Sequence, residues 1–214
     1  MPVTINGSGS IAGLAVGGLP DGSVDADTLA SNAVTSAKIA ANSVTHAKTT
    51  GLQRRISTTV TLPAANSTTH NITSGTKQID ILVSNVSSAS NSNLHLLLGD
   101  SGGIETSGYG HAMGYHRTGV SSREATVSNS TAAFSTYGLD STGYQIFGTW
   151  KLYNSQGNTW VSEHVLWGSE ASNHQFWGNG YKTLSGTMTQ FRFECTSGNF
   201  DTGHITIVET MGDD

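Results

Sequence analysis

The chain has 214 residues and a formal net charge of −5, and only 12% of it is charged, about half the roughly 25% usual in soluble domains. A single cysteine excludes an internal disulfide framework, and the acidic balance excludes the basic footprint that would hold nucleic acid or an anionic membrane surface. Ser and Thr make up about a quarter of the chain and Gly numbers 26, which suits short strands joined by tight turns.

Residues 1–20 alternate apolar and small residues, with Val3, Ile5, Ile11, Leu14 and Val16 on the apolar side. An arm with so little core of its own is tied down by a partner. The opening residues carry neither the basic region nor the apolar run of a secretory leader, and no window approaches the ~20 apolar residues of a membrane span. Synthesis in a cytosol without membrane insertion is therefore expected. Pro20-Asp21-Gly22 signals a turn.

Residues 21–50 then repeat a ten-residue unit three times, with Val24, Val34 and Val44 in one register and Leu29, Ile39 and Thr49 in another. A unit with one valine and one larger aliphatic residue encloses no core, so it buries those residues against copies of itself. Three units are too few for a solenoid within one chain, which points to other chains and a threefold neck built on Val24, Leu29, Val34, Ile39 and Val44. Asp25, Thr35 and Thr45 are good N-cap types ahead of helix formers. Each decad reads as an extended valine step followed by one helical turn. A continuous helix is the competing picture, but its stripe would be mostly alanine.

Strand patterns dominate residues 51–214. Ile56, Thr58, Val60 and Leu62 share one face, and Lys77–Val86 is apolar on both faces, as a central strand would be. Leu94–Leu98 follows. Later strands are expected over 145–153, 159–167, 187–196 and 204–209, with Asn154–Asn158 as a hairpin loop of about five residues. Regular strands with turn signals and almost no helical period predict a mainly β chain ending in an antiparallel, jelly-roll-like β-sandwich knob. The Gly-, Ser- and Thr-rich stretch 99–143, with a few possible strand pieces around Ala125-Thr-Val127, reads as a binding loop or a segment partly ordered by neighbouring chains.

Little in the sequence speaks of catalysis. His111 and His116 are five apart, no metal-ligand spacing occurs, and Gly108–Gly114 lacks the spacing of a phosphate loop. Glu163 and Glu170 read as solvated acids rather than a hydrolase pair. No catalytic residue, metal or cofactor is assigned. Cys195 reads as a buried apolar strand residue, and Trp150 and Trp160 as packing. The segment Asn173-His-Gln-Phe-Trp-Gly-Asn179-Gly-Tyr181 mixes aromatics with amides in an expected loop, so Trp177, Tyr181, Asn173 and Asn179 are candidate glycan contacts.

Ile5-Asn-Gly-Ser-Gly-Ser-Ile, Gly17-Gly-Leu-Pro-Asp-Gly-Ser-Val24 and the units Asn32-Ala-Val-Thr-Ser-Ala-Lys-Ile and Asn42-Ser-Val-Thr-His-Ala-Lys resemble the N-terminal parts of bacteriophage virion appendage proteins. Leu98-Gly-Asp-Ser-Gly-Gly-Ile-Glu-Thr-Ser-Gly-Tyr and Gly198-Asn-Phe-Asp-Thr-Gly-His-Ile resemble the knobs that follow them. The resemblance implies a homotrimer located in the virion, an N-terminal arm (1–20) docking on other virion proteins through Val3, Ile5, Ile11, Leu14 and Val16, and an outward knob that attaches to a host-surface glycan. Three decads make a stub, so a tail-fibre knob stands beside a decoration protein of capsid or tail, with a polysaccharide depolymerase as the third reading.

Overall fold

The computed structural model describes residues 4–5, 11–12, 31, 33–40, 43–44, 55–117, 124–126, 132–136, 144–169 and 174–212. The chain divides into two compact units, Met1–Thr50 and Gly51–Asp214.

In the first unit, β1 (Thr4–Ile5) pairs antiparallel with β2 (Ile11–Ala12), which sets Ile5 opposite Ile11. Val3, Leu14, Val16, Val24 and Leu29 lie outside the described residues. The middle decad forms one 3₁₀ turn, Ser36–Lys38, entered through an extended Thr35. Thr35 does not cap it with its side chain, contrary to the expectation from residue type; the Lys38 ammonium instead donates to the Ala33 carbonyl at 2.7 Å.

The second unit is built from antiparallel strands in two sheets. Its first half contributes β3 (Arg55–Thr61), β4 (Ser67–Asn71), β5 (Thr76–Ser88), β6 (Leu94–Asp100), β7 (Gly103–Ile104), β8 (Tyr109–Arg117), β9 (Glu124–Thr126) and β10 (Phe134–Ser135). Its second half contributes β11 (Gln145–Gln156), β12 (Thr159–Ser169), β13 (His174–Thr183), β14 (Gln190–Cys195) and β15 (Phe200–Met211). Eight strands run in the order β3-β15-β5-β11-β12-β13-β8-β9, and five form the opposing sheet, β10-β6-β14-β4 with β7 beside β6.

One core lies between the sheets. Leu94, Leu96, Leu98, Phe191, Phe193 and Cys195 of the smaller sheet meet Ile79, Ile81, Trp150, Leu152, Ile205 and Ile207 of the larger. Trp150 and Phe193 touch edge-to-face across the gap with ring centroids 6.3 Å apart. The buried indole N–H of Trp150 donates to Ser162 Oγ at 2.8 Å, so the ring brings no unpaired donor into the core. Phe191, Phe193 and Cys195 alternate inward against Gln190, Arg192 and Glu194, as their period of two requires. Burial raises the pKa of the Cys195 thiol.

Three expectations need correction. Asn173–Tyr181 is not a loop, since all but Asn173, which lies outside the described residues, belongs to β13. Gly178 and Gly180 lower strand propensity there, yet packing requires them: a Cβ on Gly178 would stand 2.5 Å from His164 and one on Gly180 2.6 Å from His111. Residues 99–143 contain β9 where strand was expected around 125–127, but also the nine-residue strand β8, with β7 and β10. The hairpin between β11 and β12 is tighter than five residues: pairing continues to Gln156–Thr159 past an irregularity at Asn154, and Gly157 makes the turn at φ +53°.

Candidate binding face

Strands β12, β13 and β8 extend the larger sheet beyond β11, and their outward side chains make its exposed face. Alternation along β12 points Trp160, Ser162, His164 and Leu166 inward and Val161, Glu163, Val165 and Trp167 outward. On β13 the same period exposes Gln175, Trp177, Asn179 and Tyr181. Among the described residues of the second unit, all six large hydrophobics classed as exposed (Leu82, Val161, Val165, Trp167, Trp177 and Tyr181) lie on this one face. Scattered exposed apolar residues are ordinary; six on one side are a feature.

Register arranges them in rows across the strands. Leu82, Thr149, Val165, Trp177 and Gly114 stand side by side. Two residues along, Asp80, Lys151, Glu163, Asn179 and Ala112 form a largely polar row, and beyond it run Gln78, Tyr153, Val161, Tyr181 and Gly110. A row carrying Trp177 and a row carrying Tyr153 and Tyr181 thus flank a hydrogen-bonding one. Both large rings lean toward β8, where glycines leave room: a Cβ on Gly114 would stand 2.7 Å from the Trp177 ring, and one on Gly110 2.8 Å from Tyr181. A depression of about 490 Å³ opens over four strands, bounded by Trp177, Asn179, Glu163, Lys151, Thr149 and Ala112.

The charges of the face are matched in place. Lys151 Nζ lies 3.9 Å from Glu163 Oε1, which also accepts from Tyr153 Oη at 3.0 Å, and Arg55 lies 3.6 Å from Asp80. Partial burial and then the neighbouring Glu163 carboxylate raise the Tyr153 phenol above its ordinary pKa, so it stays a donor.

A layer of rings packs beneath the face. His164 packs on Trp150 with centroids 4.5 Å apart, and His174 lies between Tyr144 at 5.5 Å and Phe176 at 5.9 Å. Three histidines, His111, His164 and His174, are buried in this layer. Burial, followed by repulsion from His111, pushes the His164 pKa down to about 3, so its ring is neutral at ordinary pH. At the far end of β13 the buried Lys182 pairs with Glu105 and lies 5.4 Å from the centre of the Tyr109 ring. Tyr109 Oη accepts from the Leu98 N–H at 2.7 Å and donates to the Glu105 carbonyl at 2.9 Å, which ties β8 to β6.

Of the four candidate glycan contacts, Trp177, Tyr181 and Asn179 come together on this face. Sequence reasoning left out Trp167, Lys151 and Glu163 as binding residues, although the alternation of β12 already put Trp167 and Glu163 on the same side. Their alignment with β11 and β13 is a matter of register, which the composition of single strands does not state. Among the described residues no cluster of three or more His, Cys, Asp or Glu side chains could hold a metal ion. No protein family, curated protein or solved structure matches the chain.

Proposed function

We propose that the chain is a non-enzymatic bacteriophage virion protein, a short homotrimeric fibre. Its N-terminal arm docks on other virion proteins and its jelly-roll-like knob meets the host surface. The observation that carries this reading is the exposure of Val34, Ile39 and Val44, at 57%, 41% and 55%, in a repeat with no core of its own. Side chains of this kind contribute on the order of 1.5–3 kcal/mol each when fully buried, and copies of the same repeat offer the matching surface. The strand order supports the jelly-roll reading, because β3-β15-β5-β11 face β10-β6-β14-β4, and the chain alternates between these two sets over β3, β4, β5 and β6 and again over β10, β11, β14 and β15. The aromatic face on β12, β13 and β8 favours host attachment over mere decoration of the particle.

Sedimentation of the full chain tests the neck. The wild type is expected to run as a trimer and Val34→Asp with Ile39→Asp as a monomer or aggregate. An unchanged trimer in the double variant would remove the assignment of residues 21–50 as a trimerisation neck.

A further inference from the structure

We infer that the outer face of β12, β13 and β8 binds an uncharged pyranose oligosaccharide, laid along β13 so that it stacks on Trp177 and Tyr181 and bonds to the polar row between them. The inference rests on the host-attachment reading and names the ligand of that face. Trp177, Asn179 and Tyr181 occupy alternate positions of one strand, so each step along the face is roughly 7 Å. That order offers an apolar ring, then an amide, then another ring.

A pyranose has matching chemistry. Its C–H face is apolar and gains dispersion against an aromatic ring, while its rim carries hydroxyls that both donate and accept. Asn179 supplies both roles, Lys151 donates and Glu163 accepts. The depression of about 490 Å³ beside Trp177 falls within the range of small-ligand sites and combines an aromatic wall with convergent polar groups. Seating against Gly114 restrains the Trp177 ring before any ligand arrives, which lowers the ordering cost of binding.

Charge selects among sugars. Lys151 is matched by Glu163 and Arg55 by Asp80, so the described residues of the face carry no surplus charge with which to attract an acidic or a basic glycan. A second copy of the chain is the less fitting occupant. Covering the face with protein would desolvate the Lys151–Glu163 row between the Trp177 and Tyr181 rows, a cost that close packing alone does not offset. Sugar hydroxyls replace the lost water directly.

The test is titration of the full chain with uncharged hexaoses of glucose (α- and β-linked), mannose and N-acetylglucosamine, read by tryptophan fluorescence and calorimetry. Hexagalacturonate serves as the acidic comparison, and oligomeric state is checked by sedimentation. Saturable binding of at least one uncharged hexaose is expected, weakened by about tenfold or more in Trp177→Ala and several-fold in Asn179→Ala, with the oligomer unchanged. Gly114→Ala, which displaces the ring without removing it, is expected to weaken binding as well. No binding by any uncharged hexaose, binding confined to the acidic sugar, or binding indifferent to Trp177→Ala overturns the inference. So does dissociation of the oligomer in Trp177→Ala without any sugar binding, which would assign the face to a second copy. Competition of soluble protein with particles for host cells separates the two readings. Competition without hexaose binding leaves attachment standing and sinks the sugar, whereas hexaose binding without competition does the reverse.

Discussion

Glu209 sits almost fully buried on β15, and three residues account for its charge. Its carboxylate accepts from the Thr73 N–H at 2.6 Å and Thr76 Oγ1 at 2.9 Å, and its other oxygen lies 3.1 Å from His70 Nε2. Burial alone would raise its pKa, but these bonds outweigh burial and hold the carboxyl below its ordinary value of 4.5. A depressed carboxyl stabilises the fold above the unfolded-state pKa, and that stability is lost as pH falls through the folded value. Unfolding free energy should therefore decline below about pH 4.5, and Glu209→Gln should both flatten that decline and cost about 1–3 kcal/mol at neutral pH. His164 acts in a higher window. Its folded pKa of about 3 lies below the ordinary 6.5, so the unfolded chain takes up a proton first as pH falls. Stability is full above pH 6.5 and declines from there toward pH 3, by at most about 1.4 kcal/mol per pH unit for this group. Denaturant midpoints between pH 6.5 and 5 should fall less steeply in His164→Gln than in wild type, without becoming flat, because burial also lowers the pKa of His95.

Among elements, β11 carries the most instructive irregularity. Its register against β5 slips between Ile146–Val86 and Gly148–Val83, and Gly148 takes φ +138° at the slip. A Cβ at Gly148 would lie 2.3 Å from the Val165 backbone oxygen, which no side-chain movement relieves. Gly148→Ala is expected to cost about 2–4 kcal/mol in urea unfolding. Gly157→Ala, where nothing lies within 4 Å of the new methyl, should cost only about 1–2 kcal/mol from backbone conformation. Equal effects would mean that the bulge relaxes. Such features also mark the limit of what sequence discloses. Strands β5, β6, β11, β12, β14 and β15 were legible because their apolar residues recur at a period of two or run continuously. Ser67-Thr-Thr-His-Asn71 of β4 carries no apolar residue at all and is a strand only because Phe191 and Phe193 of β14 need a neighbour. Similarly β8 and β13 hide behind glycines chosen for the side chains that pack against them. Trp177 and Tyr181 were legible as candidates from residue type, but the polar row between them came from pairing across three strands.

At the scale of the whole molecule, all four tryptophans belong to the unit Gly51–Asp214, and the first unit has none. A fragment spanning 51–214 should thus reproduce the near-ultraviolet circular dichroism of the full chain, whose bands arise from the packed Trp150 and Trp160. Loss of those bands in the fragment would show that the sandwich depends on the repeat for its folding. The same division would let the two proposed roles be altered separately, with the proposed oligomerisation tested at Val34 and Ile39 and the proposed ligand contact at Trp177.

The placement of β15 has a kinetic consequence. The last strand in chain order lies between β3 and β5 in the larger sheet, and β14 lies between β4 and β6 in the smaller. During synthesis neither sheet can close until those residues emerge from the ribosome, so β3 and β4 wait with open hydrogen-bonding edges for partners some 120 to 150 positions downstream. Such edges invite pairing with other nascent chains. The charge-poor but hydroxyl-rich text of β3 and β4, Arg-Ile-Ser-Thr-Thr-Val-Thr and Ser-Thr-Thr-His-Asn, keeps those waiting edges hydrated until the chain supplies its own closing strands.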